Sequence, residues 1–251
     1  MTDVIYRVGS GDPVLLADQT SPVFIPNADQ AAITAWVSRT GKSAQAGAPA
    51  APPPPPPPSG FLFEDGFNRA NQPLANSPDW LQPAQFGETA MPRTILIDNG
   101  LLRQDGSSGQ SAAAVVVGGE AAGPDQFAEM EVAAMSSGSD WLRLGVAITT
   151  VTNEVDTLIF ARIGHGGGVR FENVVNGNRS TLVEGTASIP AVPFRIWLTK
   201  QGNLYALHIG TYGTPVLTVT NTDHGGGTQG LRIQGLSTRI SAWRSGALSA
   251  L

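Results

Sequence analysis

From residue 61 onward the chain is a succession of short apolar runs broken by Gly, Asn and Asp. Runs fall at 93–97, 101–103, 111–117, 127–135, 141–150, 157–163 and 169–175, then at 181–184, 194–199, 204–209, 216–220, 231–233 and 239–244. They recur about every 8–14 residues with no convincing helix between them, the cadence of an antiparallel sandwich or jelly roll. Segments such as Phe127-Ala-Glu-Met-Glu-Val and Phe194-Arg-Ile-Trp-Leu-Thr alternate apolar with polar, as strands with one face on a core do. Asp98-Asn99-Gly100 between two runs is suited to a type I′ hairpin turn, because both central residues tolerate positive φ. The expected fold class is therefore all-β, an antiparallel β-sandwich over residues 61–251.

The stretch before it is different. Residues 46–60 contain seven consecutive prolines, Pro52 to Pro58. Proline fixes φ and donates no N–H, so this segment reads as a polyproline II linker. At about 3.1 Å per residue it spans roughly 20 Å as a semi-rigid spacer. Residues 1–45 form a separate small unit. Residues 4–8 and 13–17 flank the turn residues Gly9-Ser10-Gly11-Asp12 and read as a β-hairpin, with a further short strand at 22–25. Asn27 and Gln30 have capping-box spacing, and Ile33, Trp36 and Val37 follow at helical intervals before Gly41. One short helix with a hairpin buries little surface alone. The apolar stripe of Ile33, Trp36 and Val37 is thus expected to anchor the unit on a larger partner or on symmetry mates.

Composition narrows the function classes. Cysteine is absent, which removes disulfides, thiolate metal sites and cysteine nucleophiles. The net charge of −5 comes with no Lys/Arg run, so a nucleic-acid partner is not expected. No apolar run reaches the roughly 18 residues of a membrane span. The first residues carry an early acid and no positive-then-apolar layout, so no signal peptide is expected. A chain of this kind would leave its producing cell by lysis or within an assembly. Arginine provides all but two of the 15 basic residues, consistent with a GC-rich genome.

Two motifs go beyond generic β. The large segment opens Asp65-Gly66-Phe67-Asn68-Arg69-Ala70-Asn71-Gln72-Pro73-Leu74, with Trp80 six residues later, and ends Ile240-Ser241-Ala242-Trp243-Arg244. This resembles the opening of concanavalin A-like (laminin G-like) jelly-roll modules in bacteriophage and bacterial surface proteins. The resemblance implies that the first and last strands pair, bringing the linker and the C-terminus near one another. It also implies that Asp65 and Arg69 form a hydrogen-bonded pair at the first corner. The whole plan is similar to a minor tail protein of a phage with a GC-rich, actinobacterial host. On that resemblance the chain is expected to be a non-enzymatic structural or adhesion subunit of the virion tail. Its partners would be other tail proteins and its own copies, a trimer being favoured, with host cell-surface glycan as the target. A capsid fibre or decoration protein has the same layout.

The sequence offers few groups for chemistry. Glu129 and Glu131, two apart on one strand, share a face. Retaining glycosidases need two carboxyls about 5–5.5 Å apart, and jelly-roll glucanases add a third acid about two residues further, where this chain has Ala133. The alternative to a polysaccharide-degrading pair is a solvated sheet face. His165 and His224 each precede three glycines, read as flexible turns, and His208 stands in a strand. A serine elbow is missing, so no hydrolase oxyanion loop is assigned. No cofactor is expected beyond a structural calcium at Asp223 with Asn221 or Asp98 with Asn99, where the oxygen pattern is sparse. For glycan binding, Trp80, Trp141, Tyr205 and Tyr212 are candidate stacking platforms, although Trp141, Trp197 and Trp243 lie in runs that suit core packing. Asn173, Asn176, Asn178 and Arg179, with Tyr212, form the candidate recognition set, centred on the stretch 171–179.

Overall fold

The computed structural model describes residues 61–86, 89–106, 110–135, 140–151 and 154–251, together with four short strands in the first 60 residues. The chain divides into two compact units, 1–56 and 57–251. In the smaller unit the strands are β1 (Val4–Tyr6), β2 (Pro13–Leu16), β3 (Val23–Pro26) and β4 (Ala44–Ala46). The hairpin expected between residues 4–8 and 13–17 is not the pairing found. β2 pairs antiparallel with β3, setting Leu15 opposite Phe24 and Val14 opposite Ile25, while β1 runs parallel to β4. Ile33, Trp36, Val37 and the proline run lie outside the described residues.

The larger unit begins with β5 (Leu62–Asp65), β6 (Gln72–Pro73), β7 (Trp80–Leu81), β8 (Gln85–Phe86) and β9 (Thr89–Ala90). It continues through β10 (Ile95–Asp98), β11 (Leu101–Gln104), β12 (Ser111–Val116), β13 (Gln126–Ala134) and β14 (Trp141–Val151). Next come β15 (Glu154–Gly164), β16 (Gly168–Val175), β17 (Asn178–Thr186), β18 (Phe194–Gln201) and β19 (Leu204–Ile209). β20 (Leu217–Thr220), β21 (Thr228–Gln234) and β22 (Arg239–Ala247) complete the unit. Only single-turn 3₁₀ helices interrupt these strands among the described residues.

The strands form two nine-stranded sheets. The first has the order β20-β19-β18-β13-β22-β11-β10-β6, with β5 also on β22. The second has the order β17-β16-β15-β14-β21-β12-β7, with β8 against β15 and β9 against β8. Pairing is antiparallel throughout except between β8 and β15. The inner faces meet in one core, Met130, Val132, Ile196, Leu198 and Trp243 from the first sheet against Leu142, Leu144, Ile159, Phe171 and Leu231 from the second. At the β10–β11 hairpin Asp98 lies opposite Leu101, and Asn99 and Gly100 take φ of 51° and 76°. That is the type I′ geometry the sequence called for.

The opening motif closes the sandwich. β5 pairs antiparallel with β22, Asp65 opposite Trp243, and the Ala247 N–H donates to the Phe61 carbonyl at 2.9 Å. Arg69 donates both guanidinium nitrogens to the two Asp65 oxygens, at 2.7 and 2.9 Å. Asn71 accepts the Asn99 N–H at 2.8 Å and so ties this corner to the β10–β11 turn. Leu74 is fully buried. Asp65, Arg69, Asn71 and Leu74 of the motif thus serve the corner and the core.

Candidate functional site

The outer face of the first sheet carries Glu129 and Glu131. They share a face as expected, and on that face Glu129 is buried while Glu131 is partly exposed. Glu129 is only 3% exposed. Arg195 bridges the pair, with Nη1 at 3.0 Å from Glu129 and Nε at 3.1 Å from Glu131. Arg244 reaches the other Glu129 oxygen at 2.8 Å and also binds Glu64 at 2.8 Å. Ser241 donates to Glu131 at 2.8 Å. The Ser241 hydroxyl, helped by Arg195 and opposed by partial burial, holds the Glu131 carboxyl below the usual range. A general acid needs the opposite shift. The cavity beside the pair is about 20 Å³, far too small for a sugar ring.

Of the candidate recognition set, Asn173, Asn176, Asn178 and Arg179 share the β16–β17 hairpin, while Tyr212 lies outside it. Asn173 is buried at the sandwich edge, where it donates to Asp223 at 2.7 Å and contacts the His224 ring nitrogen. Asn176 occupies the left-handed turn between β16 and β17 with φ of 50°, and the Asn178 amide donates to its carbonyl at 3.1 Å. Both belong to the turn. Arg179 is exposed on the outer face of the second sheet. Tyr212 is 52% exposed in the loop between β19 and β20, its ring tilted against those of His208 at 4.8 Å and Trp197 at 6.0 Å. Trp80 and Tyr205 are buried and cannot serve as platforms.

His208, His224 and the aspartates offered for calcium are likewise engaged, while His165 is exposed. His208 and His224 are buried, and burial pushes both rings below the ordinary imidazole range. No group of three His, Asp or Glu side chains converges among the described residues. Asp223 accepts from Asn173 and from Asn221, the latter at 3.0 Å. Asp98 accepts from Asn71 and Asn99, and from Arg103 at 2.7 Å. At Asp223 both amides meet Oδ2, and at Asp98 both carboxylate oxygens accept N–H donors.

The outer face of the second sheet holds what the sequence reading missed. Arg143 lies opposite Arg162 across β14–β15. Arg162 lies opposite Arg170 across β15–β16, and Arg143 opposite Arg232 across β14–β21. Four arginines therefore form one continuous row over four adjacent strands. On β17 the row ends in Glu184, opposite Arg170. Each arginine sits between apolar neighbours in its own strand, as in Leu142-Arg143-Leu144 and Leu231-Arg232-Ile233. That pattern was the available signal. Two carboxylates compensate: Glu172, within 3.5 Å of Arg143 and 3.2 Å of Arg170, and Glu184, at 3.1 Å from Arg170.

Trp141 stands one position along from this row, and it is not in the core. The Arg162 guanidinium stacks 3.4 Å from its ring centroid. Gly164 and Gly168, bordering the first glycine-rich turn, make room for the ring; a Cβ on Gly164 would lie 2.9 Å from it. These glycines are therefore seats for an indole as well as turn formers. Beside Trp141 opens a cavity of about 240 Å³ lined by Gly168, Val169, Arg170, Glu184 and Gly185. An aromatic ring with a guanidinium and a carboxylate at its rim is the residue chemistry of a sugar subsite.

No protein-family model matches the chain, and no curated protein matches it. Solved structures do. The Bacillus licheniformis beta-glucanase superposes with a TM-score of 0.52 at 13% identity, covering 75% of this chain and 99% of that one. A protein of unknown function with a galectin-like fold from Bacillus subtilis gives 0.52 at 10% identity, covering 73% and 94%. The exoplasmic/lumenal domain of VIP36, in a Ca2+/Man2-bound form, gives 0.51 at 10% identity, covering 74% and 87%. Likeness at such identities is likeness of fold. The larger unit is a concanavalin A-like, galectin-like jelly roll.

Proposed function

We propose that the larger unit is a non-enzymatic glycan-binding module. The observation that carries this reading is the cavity beside Trp141, where an aromatic ring, Arg170 and Glu184 border a space open to one sugar ring. Apolar sugar faces stack on indoles while guanidinium and carboxylate groups bind hydroxyls. The fold supports the reading, since jelly rolls of this kind include lectin-like and glucanase proteins. The arginine clamp on Glu129 and Glu131 supports the non-enzymatic part, because all four carboxylate oxygens already accept from Arg195, Arg244 or Ser241 and none is turned to a substrate. The test is binding of the full chain to cell-envelope polysaccharide, with reducing-sugar release measured in parallel. Binding without release is expected; release would overturn the reading.

The wider role is that of a structural and adhesion subunit of a phage tail, present in the virion and outside the cell after lysis. The N-terminal unit docks on other tail proteins through Ile33, Trp36 and Val37, and the copies associate as a trimer. Support comes from the proline run between the two units and the jelly-roll opening motif. Immunogold labelling of particles tests the placement: label at the tail is expected, and label on the capsid would identify a fibre or decoration protein instead. Light scattering on the purified chain tests the association.

A further inference from the structure

We propose that the glycan bound beside Trp141 is anionic, and that the arginine row of the second sheet recognises its carboxylate or phosphate group. The inference rests on the glycan-binding reading and adds the ligand's charge class. Like charges directly opposite one another across strands destabilise a sheet. Here three successive cross-strand pairs are all arginine on arginine, Arg232 with Arg143, Arg143 with Arg162 and Arg162 with Arg170. Arg143 is 2% exposed and Arg232 5%. Burying cations is costly unless they are neutralised, and among the described residues the acids on this face are fewer than the arginines. Among the described residues, the four guanidinium groups of the row meet two carboxylates, Glu172 and Glu184.

Hydrogen bonding is incomplete in the same place. Arg143 Nη1, Arg162 Nε and Arg232 Nε are buried without a hydrogen-bond partner among the described residues. Orphaned guanidinium donors are expensive unless a ligand completes them. No carboxylate pairs with Arg162 among the described residues; its neighbour is the Trp141 ring, which also borders the cavity. Arg170 lines that cavity directly. A sugar seated against Trp141 would therefore place an attached oxyanion within the field of the row. The planar guanidinium fork suits carboxylate and phosphate alike. A neutral sugar would leave the positive excess uncompensated.

The experiment uses the full chain and three probes: oligogalacturonate, phosphomannan and unphosphorylated mannan. Binding is measured by titration calorimetry at about 0.05 M and about 0.5 M salt, since exposed charge contacts are screened across that range. Tighter binding of one anionic probe than of mannan, weakened by salt, is the expected result, and the probe that binds identifies carboxylate or phosphate as the group. Arg162→Gln should weaken it by about tenfold or more, the worth of a charge-assisted contact. Glu184→Gln is the second variant. It removes an exposed carboxylate from the cavity rim, frees Arg170 and should tighten anionic binding severalfold with the fold intact. Mannan binding that ignores salt and both substitutions would overturn the anionic assignment while leaving the glycan reading standing. Failure of all three probes, and of envelope polysaccharide, would sink both.

Discussion

Trp80 donates its indole N–H to the Asp65 carboxylate at 2.9 Å, while the Phe67 N–H donates to the same side chain at 2.8 Å. With the Arg69 fork, one aspartate gathers a backbone turn, a buried indole and a cation. Trp80 in turn packs edge-on against Phe63 at 5.5 Å and Trp243 at 5.7 Å, so the first strand, the last strand and the corner between them share one knot. The sequence motif is a closure device.

Breaking that knot should be costly. Hydrogen bonds to charged groups contribute about 1.5–3 kcal/mol, so Trp80→Phe is expected to lower unfolding stability by about 2–3 kcal/mol in urea titrations. Burial alone would raise the Asp65 carboxyl, but Arg69, the Phe67 N–H and Trp80 outweigh it and hold it below its ordinary value. A depressed folded-state pKa gives stability that is complete above the unfolded value, about 4, and lost as pH falls through the folded value. Asp65→Asn should therefore be less stable at neutral pH and show a flatter stability curve between about pH 4 and pH 2. A variant with the wild-type acid slope would show that Asp65 is not the group responsible.

At the β10–β11 turn the backbone, not packing, sets the cost of substitution. Gly100 has φ of 76°, and a Cβ there would meet nothing within 4 Å. Gly100→Ala should thus lose only the left-handed penalty, about 1–2 kcal/mol, read as a shift in the denaturation midpoint with an unchanged slope. A larger loss would mean that the hairpin pairing itself had been disturbed.

The legible parts of this protein are those written in local order. Asn99-Gly100 declares its turn, and Asp65, Phe67 and Arg69 sit within five residues of one another. The runs at 127–135 and 239–244 mark strands because alternation is a period-2 signal. The arginine row was not legible, because its members come from β14, β15, β16 and β21 and become neighbours only through register. Register is set by pairing over the whole sheet. Trp141 was hidden for a related reason: a tryptophan in an apolar run reads as core, and only the strand's facing direction separates it from Trp243. In Asn173 the error ran the other way, since a polar residue near an Asn-Gly turn was read as exposed when its face turns inward.

The seat of Trp141 offers a test of the cavity that does not touch charge. Gly164→Ala places a methyl group 2.9 Å from the indole, closer than side-chain carbons approach. The Arg162 guanidinium is also packed 3.4 Å from the ring centroid, so the ring must shift from its present position beside the cavity. Glycan affinity should fall by about tenfold, roughly 1.4 kcal/mol, with a shift in tryptophan emission and little change in the salt dependence of binding. Unchanged affinity would place the sugar elsewhere than beside Trp141.

Glu129→Gln combined with Glu131→Gln separates the two sheets functionally. Both glutamates are on the face opposite the core from the arginine row, so the double substitution should leave glycan binding unaltered. Its effect on folding is not that of an ordinary surface change. Glu129 is buried with an arginine on each oxygen, and Gln can keep only one acceptor of the two. Arg195 is 49% exposed and can turn to solvent, which limits the loss. A cost of about 1–2 kcal/mol is expected, above the ±0.5 kcal/mol of typical surface sites. For a retaining glycosidase the same change removes the nucleophile and lowers the rate by orders of magnitude. Oligosaccharide release from envelope material is therefore measured for both proteins at equal folded concentration. Equal and negligible release with equal binding is the expected outcome. Release by the wild type that disappears in the double variant would make Glu129 and Glu131 catalytic despite their arginine partners.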